Sequence, residues 1–509
     1  MTLSLASVLA ESARRFGDRT AVIDAQHRIT YADLWRAALR FAAVLQSGGV
    51  RPGDRVALVA PNTAEFPIAY FGILATGAVV VPVHLLFTAP DVGHVLHDSG
   101  TTTVVYHPVI GQLATAAAAM VEATAVPVLA ADLLGGPTGD GAAPALVRHA
   151  DRAADDPAVI LYTSGTTGRP KGAVLTHLNL VMNATVSAFD CHDTRPDDVV
   201  LGCLPLFHSY GQTAAMNAAF RRGATLVLQA RFDPVGAIEL MRAERVDVFL
   251  GVPTMYVALC EAARDLAELP ALRVCVSGGA SLPEPLLVEF ERIFQTQVFE
   301  GYGLSETSPV ATANNVAFGR RPGTVGHPIW GVDVEIARAD LFDRIELLPV
   351  GELGEVVIRG HNVFAGYLNQ PAATAEVLVD GWLRTGDLGL KDADGYLSVV
   401  DRKKDVIIRG GFNVYPREVE DALLRHPAVG QVAVVGLPDQ RYGEEVCAVV
   451  VPVDRSATDP DEIIAWAREH VGRHGYPRRI ELVEALPMGP SMKVLKRELR
   501  RMLAEGGTR

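Results

Sequence analysis

The 509-residue sequence is poor in lysine, has no cysteine pair at motif spacing, and lacks an apolar run long enough to span a bilayer. Each shortage excludes something. The five cysteines, Cys191, Cys203, Cys260, Cys275 and Cys447, are odd in number, scattered and never C-x-x-C. That argues against a disulfide framework or a zinc site and fits a reducing cytoplasm, with each thiol a small buried hydrophobe. The most apolar run, 71–87, is broken by Gly77, Pro82 and His84. It is short for a membrane span and reads as a buried helix end leading into a buried strand. Glu11, Arg14, Arg15 and Asp18 interrupt the first 24 residues, which read as an amphipathic helix and not as a signal peptide. Positive charge is also in deficit. The formal net charge of −13 argues against a nonspecific nucleic-acid binder, which carries a basic face.

What remains is an ordinary soluble composition, 49% hydrophobic and 21% charged, in a chain long enough for two to four domains. Strand-like runs (55–60, 78–83, 102–107, 158–161) alternate with helical ones (66–77, 282–294). The expectation is α/β: layered subdomains with parallel-type sheets. Residues 131–156 are rich in Gly, Pro, Ala and Asp and read as a loop. From about Gly323 the pattern turns to short strands with glycine turns, a small β-rich subdomain. Past the charged "DRKKD" (401–405) follows a compact α+β unit, with helices in "PREVEDALLRHP" and "DEIIAWAREHV" and strands in "VAVVGLP" and "EVCAVVVPV". The boundary is placed between residues 402 and 403, giving domains 1–402 and 403–509.

The six lysines are Lys171, Lys391, Lys403, Lys404, Lys493 and Lys496. A chain that otherwise uses arginine has put one of them in "YTSGTTGRPKG", Tyr162 to Gly172. A strand delivers the chain into Thr163, Ser164, Gly165, Thr166, Thr167 and Gly168. Glycines let backbone N–H groups approach an anion, the hydroxyls add donors, and Lys171 adds a compact charge. The stretch is not a P-loop: its glycines are too close, Arg169-Pro170 separates Gly168 from the lysine, and no Ser or Thr follows. Taken alone it reads either as a phosphate cradle or as a solvated turn after a strand.

Six later motifs accompany it in order: "SGGA" (277–280), "YGLSET" (302–307), "GELGEVVIRG" (351–360), "GWLRTGDLG" (381–389), "DRKKDVIIRGGFNVYPREVE" (401–420) and "PMGPSMKVLKREL" (487–499). Together they resemble the adenylate-forming superfamily of acyl-CoA synthetases, luciferases and peptide-synthetase adenylation domains, over nearly the whole chain. The resemblance implies a large N-terminal domain and a small mobile C-terminal one. It also implies a two-step reaction. A carboxylate attacks the α-phosphorus of ATP to give acyl-AMP and pyrophosphate, and a thiol then displaces AMP.

By the same resemblance, Thr163, Ser164, Gly165, Thr166, Thr167, Gly168 and Lys171 hold the phosphates. Glu306 binds Mg2+, as a hard cation requires, and Ser305 touches the α-phosphate. Gly278, Gly279 and Ala280 with Tyr302 form the adenine slot, and Gly303 belongs to the wider ATP- and AMP-binding set. Asp387 and Arg402 take the ribose. Lys493 bonds carboxylate and phosphate oxygens during adenylation; the family usually has glycine before it, and this chain has Met492. Lys404 stands at the hinge, and Gly410 and Gly411 line a tunnel for the pantetheine thiol of CoA. His208, Val252, Pro253 and Gly301 line the acyl pocket. Phe207-His208 has no acidic residue to meet an ammonium, which favours an amine-free acid. "PLFHSYGQT" and "GGFNVYP" resemble fatty-acyl members, and a fatty acid is the expected substrate. A monomer or a homodimer fits. Two alternatives stand beside a CoA ligase. One is an acyl-AMP ligase loading an acyl-carrier protein, disfavoured because 334–352 shows no extra block. The other is a noncatalytic nucleotide-binding relative.

Overall fold

The computed structural model describes residues 2–135, 146–163, 170–315, 318–489 and 494–506. Contacts divide the chain into two compact units: Met1–Leu282, Val288–Val334 and Ile358–Leu383 in the first, and Pro283–Leu287, Glu335–Val357 and Arg384–Arg509 in the second. The division leaves 335–357 and 384–402 with the C-terminal residues and does not fall at 402/403.

The first unit holds two mainly parallel sheets. In the nine-stranded sheet six central strands run parallel: Val298–Gly303, Val274–Ser277, Val248–Gly251, Val199–Gly202, Thr225–Leu228 and Thr20–Ile23. In the seven-stranded sheet five do: Pro157–Thr163, Val79–Pro82, Arg55–Val59, Thr103–Tyr106 and Thr124–Pro127. Strands covered on both faces need no polar alternation, and Val79–Pro82 and Val248–Gly251 are buried at every residue. Helix Glu65–Ala75 is likewise buried throughout, as its all-round apolar sequence requires. It approaches helix Tyr31–Ser47 at Gly72, where a Cβ would lie 3.0 Å from the Ala38 carbonyl oxygen.

The second unit carries a five-stranded sheet with Gly443–Pro452 at its centre. Val434, Val446, Ala448 and Val450 face one hydrophobic cluster and Ala433, Val435, Cys447 and Val449 another. The period-2 geometry of a strand sends the near-continuous valine runs to both faces. Helices Pro416–Leu423 and Pro460–His470 supply Val419, Leu423, Ile463 and Ala467 to the first cluster, and Leu499 of helix Lys496–Gly506 joins the second.

The α/β expectation holds, and all five cysteines are buried and outside any disulfide. Three details differ from the sequence reading. The N-terminal helix covers only Ser7–Arg15, because the β-branched residues of Thr20–Ile23 enter the large sheet. Within the expected 131–156 loop, Ala130–Leu134 is a short helix, and 136–145 lie outside the described residues. Two π-helical segments, Ser187–Cys191 and Tyr210–Asn217, carry no period that sequence could reveal. Among the described residues no helix is long and apolar enough to cross a membrane.

Candidate active site

Strands Pro157–Thr163 and Lys171–Thr176 pair antiparallel, and their register sets Thr163 opposite Lys171. The glycine stretch is therefore closed at its base by a hydroxyl and an ammonium. Gly172 follows because a Cβ there would lie 2.9 Å from Ile160 Cγ2 and 3.1 Å from the Tyr162 ring. The Tyr162 hydroxyl donates to Asp98 Oδ2 at 2.6 Å, tying down the strand end. Ser164, Gly165, Thr166, Thr167 and Gly168 lie outside the described residues, as do Met492 and Lys493.

Glu306 sits in the short 3-10 turn Ser305–Thr307, just past strand Val298–Gly303. Gly303 makes the turn possible, since a Cβ there would lie 1.8 Å from the Pro309 carbonyl oxygen. Asn183, fully buried, donates to the carbonyls of Thr307 (3.3 Å) and Val310 (2.8 Å) and holds the far side. The Glu306 carboxylate accepts from the Tyr367 hydroxyl at 2.8 Å. Lys171 Nζ stands 5.2 Å from the centroid of the same Tyr367 ring. Sequence reasoning missed Tyr367. It lies between the quoted motifs, and its partners come from two distant segments.

His208 and Ser305 line one cavity of about 40 Å³, with Leu161, Tyr162, Phe207 and Ser209 also in its wall. The Tyr210 N–H donates to His208 Nδ1 at 3.3 Å, so a neutral His208 carries its proton on Nε2. A larger hollow of about 370 Å³, between 269–273 and 293–295, holds none of the candidate residues. Gly278, Gly279 and Ala280 follow the end of strand Val274–Ser277, and Gly279 has φ +80°, which a side chain would strain. Tyr302 and Gly301 lie on the neighbouring strand, opposite Thr312 and Ala313. Val252 caps helix Pro253–Ala263, with Pro253 in its first turn. The Tyr210 ring fills the space beside Gly278, 3.1 Å from where a Cβ would stand, and its hydroxyl donates to the Val276 carbonyl at 3.2 Å.

In the second unit, strands Trp382–Lys391 and Leu397–Arg402 pair antiparallel with Asp387 opposite Arg402, and Arg402 Nε lies 3.7 Å from Asp387 Oδ1. Asp387 is buried while half of the Arg402 side chain is exposed. Beneath them lies Glu355, its side chain 4% exposed, which binds Arg384 and accepts from Lys403 Nζ at 3.4 Å and from the Gly386 N–H at 3.1 Å. Sequence does not single out Glu355 within its motif, since nothing there distinguishes a buried hub carboxylate from a surface one. Lys404 is solvent-exposed, and desolvation of its ammonium first, then Arg402, lowers its pKa. Gly410 (φ +59°) and Gly411 (φ +86°) form the two-residue hairpin turn that joins Ile407–Arg409 to Phe412–Val414. Gly410 donates its N–H to the Tyr442 carbonyl at 2.7 Å. Exposed Phe412 stacks on His474 with centroids 3.8 Å apart.

Residues 9–368 match the family model described as AMP-binding enzyme, and residues 418–493 match that of the AMP-binding enzyme C-terminal domain. The chain is 39% identical over 492 residues to feruloyl-CoA synthase of Amycolatopsis sp, covering 96% of this chain and 97% of that protein. It is 34% identical over 529 residues to a long-chain-fatty-acid–CoA ligase of Bacillus subtilis, covering 97% and 94%. Among solved structures it is similar to ATP-bound MatB from Rhodopseudomonas palustris, with a TM-score of 0.90, 33% identity and 99% of each chain covered.

Proposed function

The chain belongs to the AMP-binding enzyme family, among its acid–CoA ligases, and we propose that it activates an amine-free carboxylic acid as acyl-AMP and passes the acyl group to CoA. One observation carries the reading: His208 and Ser305 share the wall of one cavity, so a group suited to an acid's carboxylate adjoins one suited to a phosphate. An acid oxygen attacks the α-phosphorus, the bond from that phosphorus to the bridging oxygen breaks, and pyrophosphate leaves. The CoA thiolate then attacks the acyl carbon and AMP leaves with the carboxyl oxygen. Two anions must meet in the first step, so fixed positive charge lowers its barrier.

Lys171, Thr163 and the glycine stretch take the leaving phosphates, and Lys493 bonds the reacting oxygens. Glu306 offers one carboxylate, and among the described residues no group of three or more His, Cys, Asp or Glu side chains could hold a metal ion. That donor set fits an Mg2+ that arrives on ATP and keeps its phosphate and water ligands. When bound, the ion offsets charge on the phosphates. Asp387 and Arg402 receive the ribose, and Gly278 to Ala280 with Tyr302 the base. Lys404 serves as the hinge, and the Gly410-Gly411 turn meets pantetheine in the second step. Free buried thiols support a cytoplasmic setting.

For the acid, the motif resemblance points to a fatty acid. A second reading is a compact aryl acid: the chain is 39% identical to a feruloyl-CoA synthase, and the bulky Tyr210 ring stands two residues from His208. A thioester assay over aliphatic acids of graded length and over benzoates and hydroxycinnamates, with CoA and a carrier protein as competing acceptors, separates the readings. No pyrophosphate exchange with any acid would sink adenylation. Preference for the carrier would sink the CoA assignment.

A further inference from the structure

Lys171 and Glu306 come from distant parts of the chain, and one short strand touches both. Gly366–Tyr367 pairs antiparallel with Lys171–Thr176, setting Tyr367 opposite Ala173. The Ala365 N–H donates to the Val174 carbonyl at 2.9 Å and the Leu368 N–H to the Gly172 carbonyl at 2.8 Å. In the other direction, the Phe364 N–H donates to the Glu306 carbonyl at 2.9 Å. The Tyr367 side chain repeats the link: its hydroxyl donates to Glu306 Oε1 at 2.8 Å, and its ring lies 5.2 Å from Lys171 Nζ. The ring is itself fixed. Phe364 packs against it edge-on at 4.9 Å, and the Tyr367 N–H donates to Thr374 Oγ1 at 2.9 Å.

A lysine ammonium and a glutamate carboxylate near one another attract strongly, and a pair so formed would have to break before a magnesium triphosphate could bind both. Among the described residues, no ion pair joins Lys171 to Glu306. Each finds its partner on Tyr367: the carboxylate on the hydroxyl, the ammonium over the ring, where cation–π attraction acts. We propose that Tyr367 is a positioning residue for adenylation, fixing Glu306 through Oε1 so that Oε2 is left for the magnesium of ATP, and keeping Lys171 from pairing with Glu306. The proposal rests on the reading that Glu306 binds magnesium and Lys171 phosphate.

The test is equilibrium binding of α,β-methylene-ATP across an Mg2+ titration to wild type, Tyr367→Phe, Glu306→Gln and the double variant. Thioester formation from a supplied acyl-adenylate is followed alongside. Tyr367→Phe removes one oxygen and keeps the ring over Lys171. It should raise the Mg2+ concentration for half-maximal effect about tenfold, the size of one hydrogen bond to a charged group. Binding without Mg2+ and the CoA half-reaction should stay within about twofold of wild type. In the Glu306→Gln background the same change should add nothing, since the residue acts through Glu306. An unchanged Mg2+ requirement, additive effects of the two substitutions, or equal loss in the CoA half-reaction would each overturn the proposal. Binding needs no acid, so a wrong acid assignment leaves this test intact. A wild-type protein that binds the analogue without any response to Mg2+ would overturn the magnesium assignment as well.

Discussion

Replacing Glu355 with alanine should destabilise the second unit by about 3–5 kcal/mol, the usual result of stranding one member of a buried ion pair. The side chains of Glu355 and Arg384 are 4% and 6% exposed, so neither charge is solvated. Arg384 would keep its bond to the Leu341 carbonyl and the Phe342 ring at 5.5 Å but lose its only carboxylate among the described partners. Lys403 suffers less. It is 31% exposed, bonds the Ala339 carbonyl and lies 4.4 Å from the Phe342 ring, so water and these neighbours compensate. The Gly386 N–H also loses its acceptor, and Gly386 directly precedes Asp387 in strand Trp382–Lys391. The loss should therefore reach nucleotide binding: Glu355→Ala should weaken AMP as well as lower the urea midpoint. Glu355→Gln keeps an acceptor for Gly386 and should restore part of the AMP affinity while leaving Arg384 unneutralised. Urea titration followed by circular dichroism, with AMP binding by calorimetry, reads both effects. A stability loss below about 1 kcal/mol for Glu355→Ala would refute the reasoning, because that is the scale of an exposed pair.

Other perturbations test other parts. Burial lowers the pKa of His177 and of His192 to about 4 each, against about 6.5 unfolded. The unfolded chain then binds more protons between those values, so stability should be full above pH 6.5, fall as pH drops to about 4, and lose up to about 3 kcal/mol per histidine. His177→Gln should flatten that slope in a pH series of thermal midpoints, and an unchanged slope would count against His177 as a source. Tyr210→Ala should raise kcat/KM for longer or bulkier acids relative to compact ones by about tenfold, roughly one methylene's worth of pocket discrimination; an unchanged ranking over the acid panel would mean the ring does not bound the acyl site. Lys493→Ala should slow pyrophosphate exchange by about a hundredfold or more while sparing thioester formation from supplied acyl-adenylate, and equal losses would mean the role is misassigned. Met492→Gly should speed that exchange if the side chain stiffens the approach to Lys493; no change would remove Met492 from consideration.

The layering of the fold was legible because it rests on periodicity. Runs such as "RVALVA" and "AVVVPV" appear where expected, trimmed to Arg55–Val59 and Val79–Pro82. Some glycines were legible for a related reason: they mark places where a Cβ would clash or where the backbone turns left-handed. Gly303 would strike a carbonyl, and Gly410-Gly411 needs two left-handed residues in a row. The π-helical segment beside His208 was not legible, because its extra residue per turn leaves no mark in composition or spacing. The contact boundary was equally hidden. The charged "DRKKD" drew the line to 402/403, whereas the division by contacts groups 335–357 and 384–402 with the C-terminal residues.

Glu355 and Tyr367 show a deeper reason for the gap. A residue that touches a substrate is constrained by the substrate's chemistry, so its type and spacing recur as a motif. A residue that holds such a residue in place is constrained only by where the fold puts its partner. The Tyr367 hydroxyl serves Glu306 from 61 positions away, and its ring reaches a lysine nearly two hundred positions back along the chain. A phenylalanine would satisfy the same burial and the same strand register, so neither periodicity nor composition asks for the oxygen. Only the bond in the folded chain does. The same holds for Glu355, where a surface glutamate would read identically in sequence, and only its 4% exposure and three donors turn it into a support for Asp387.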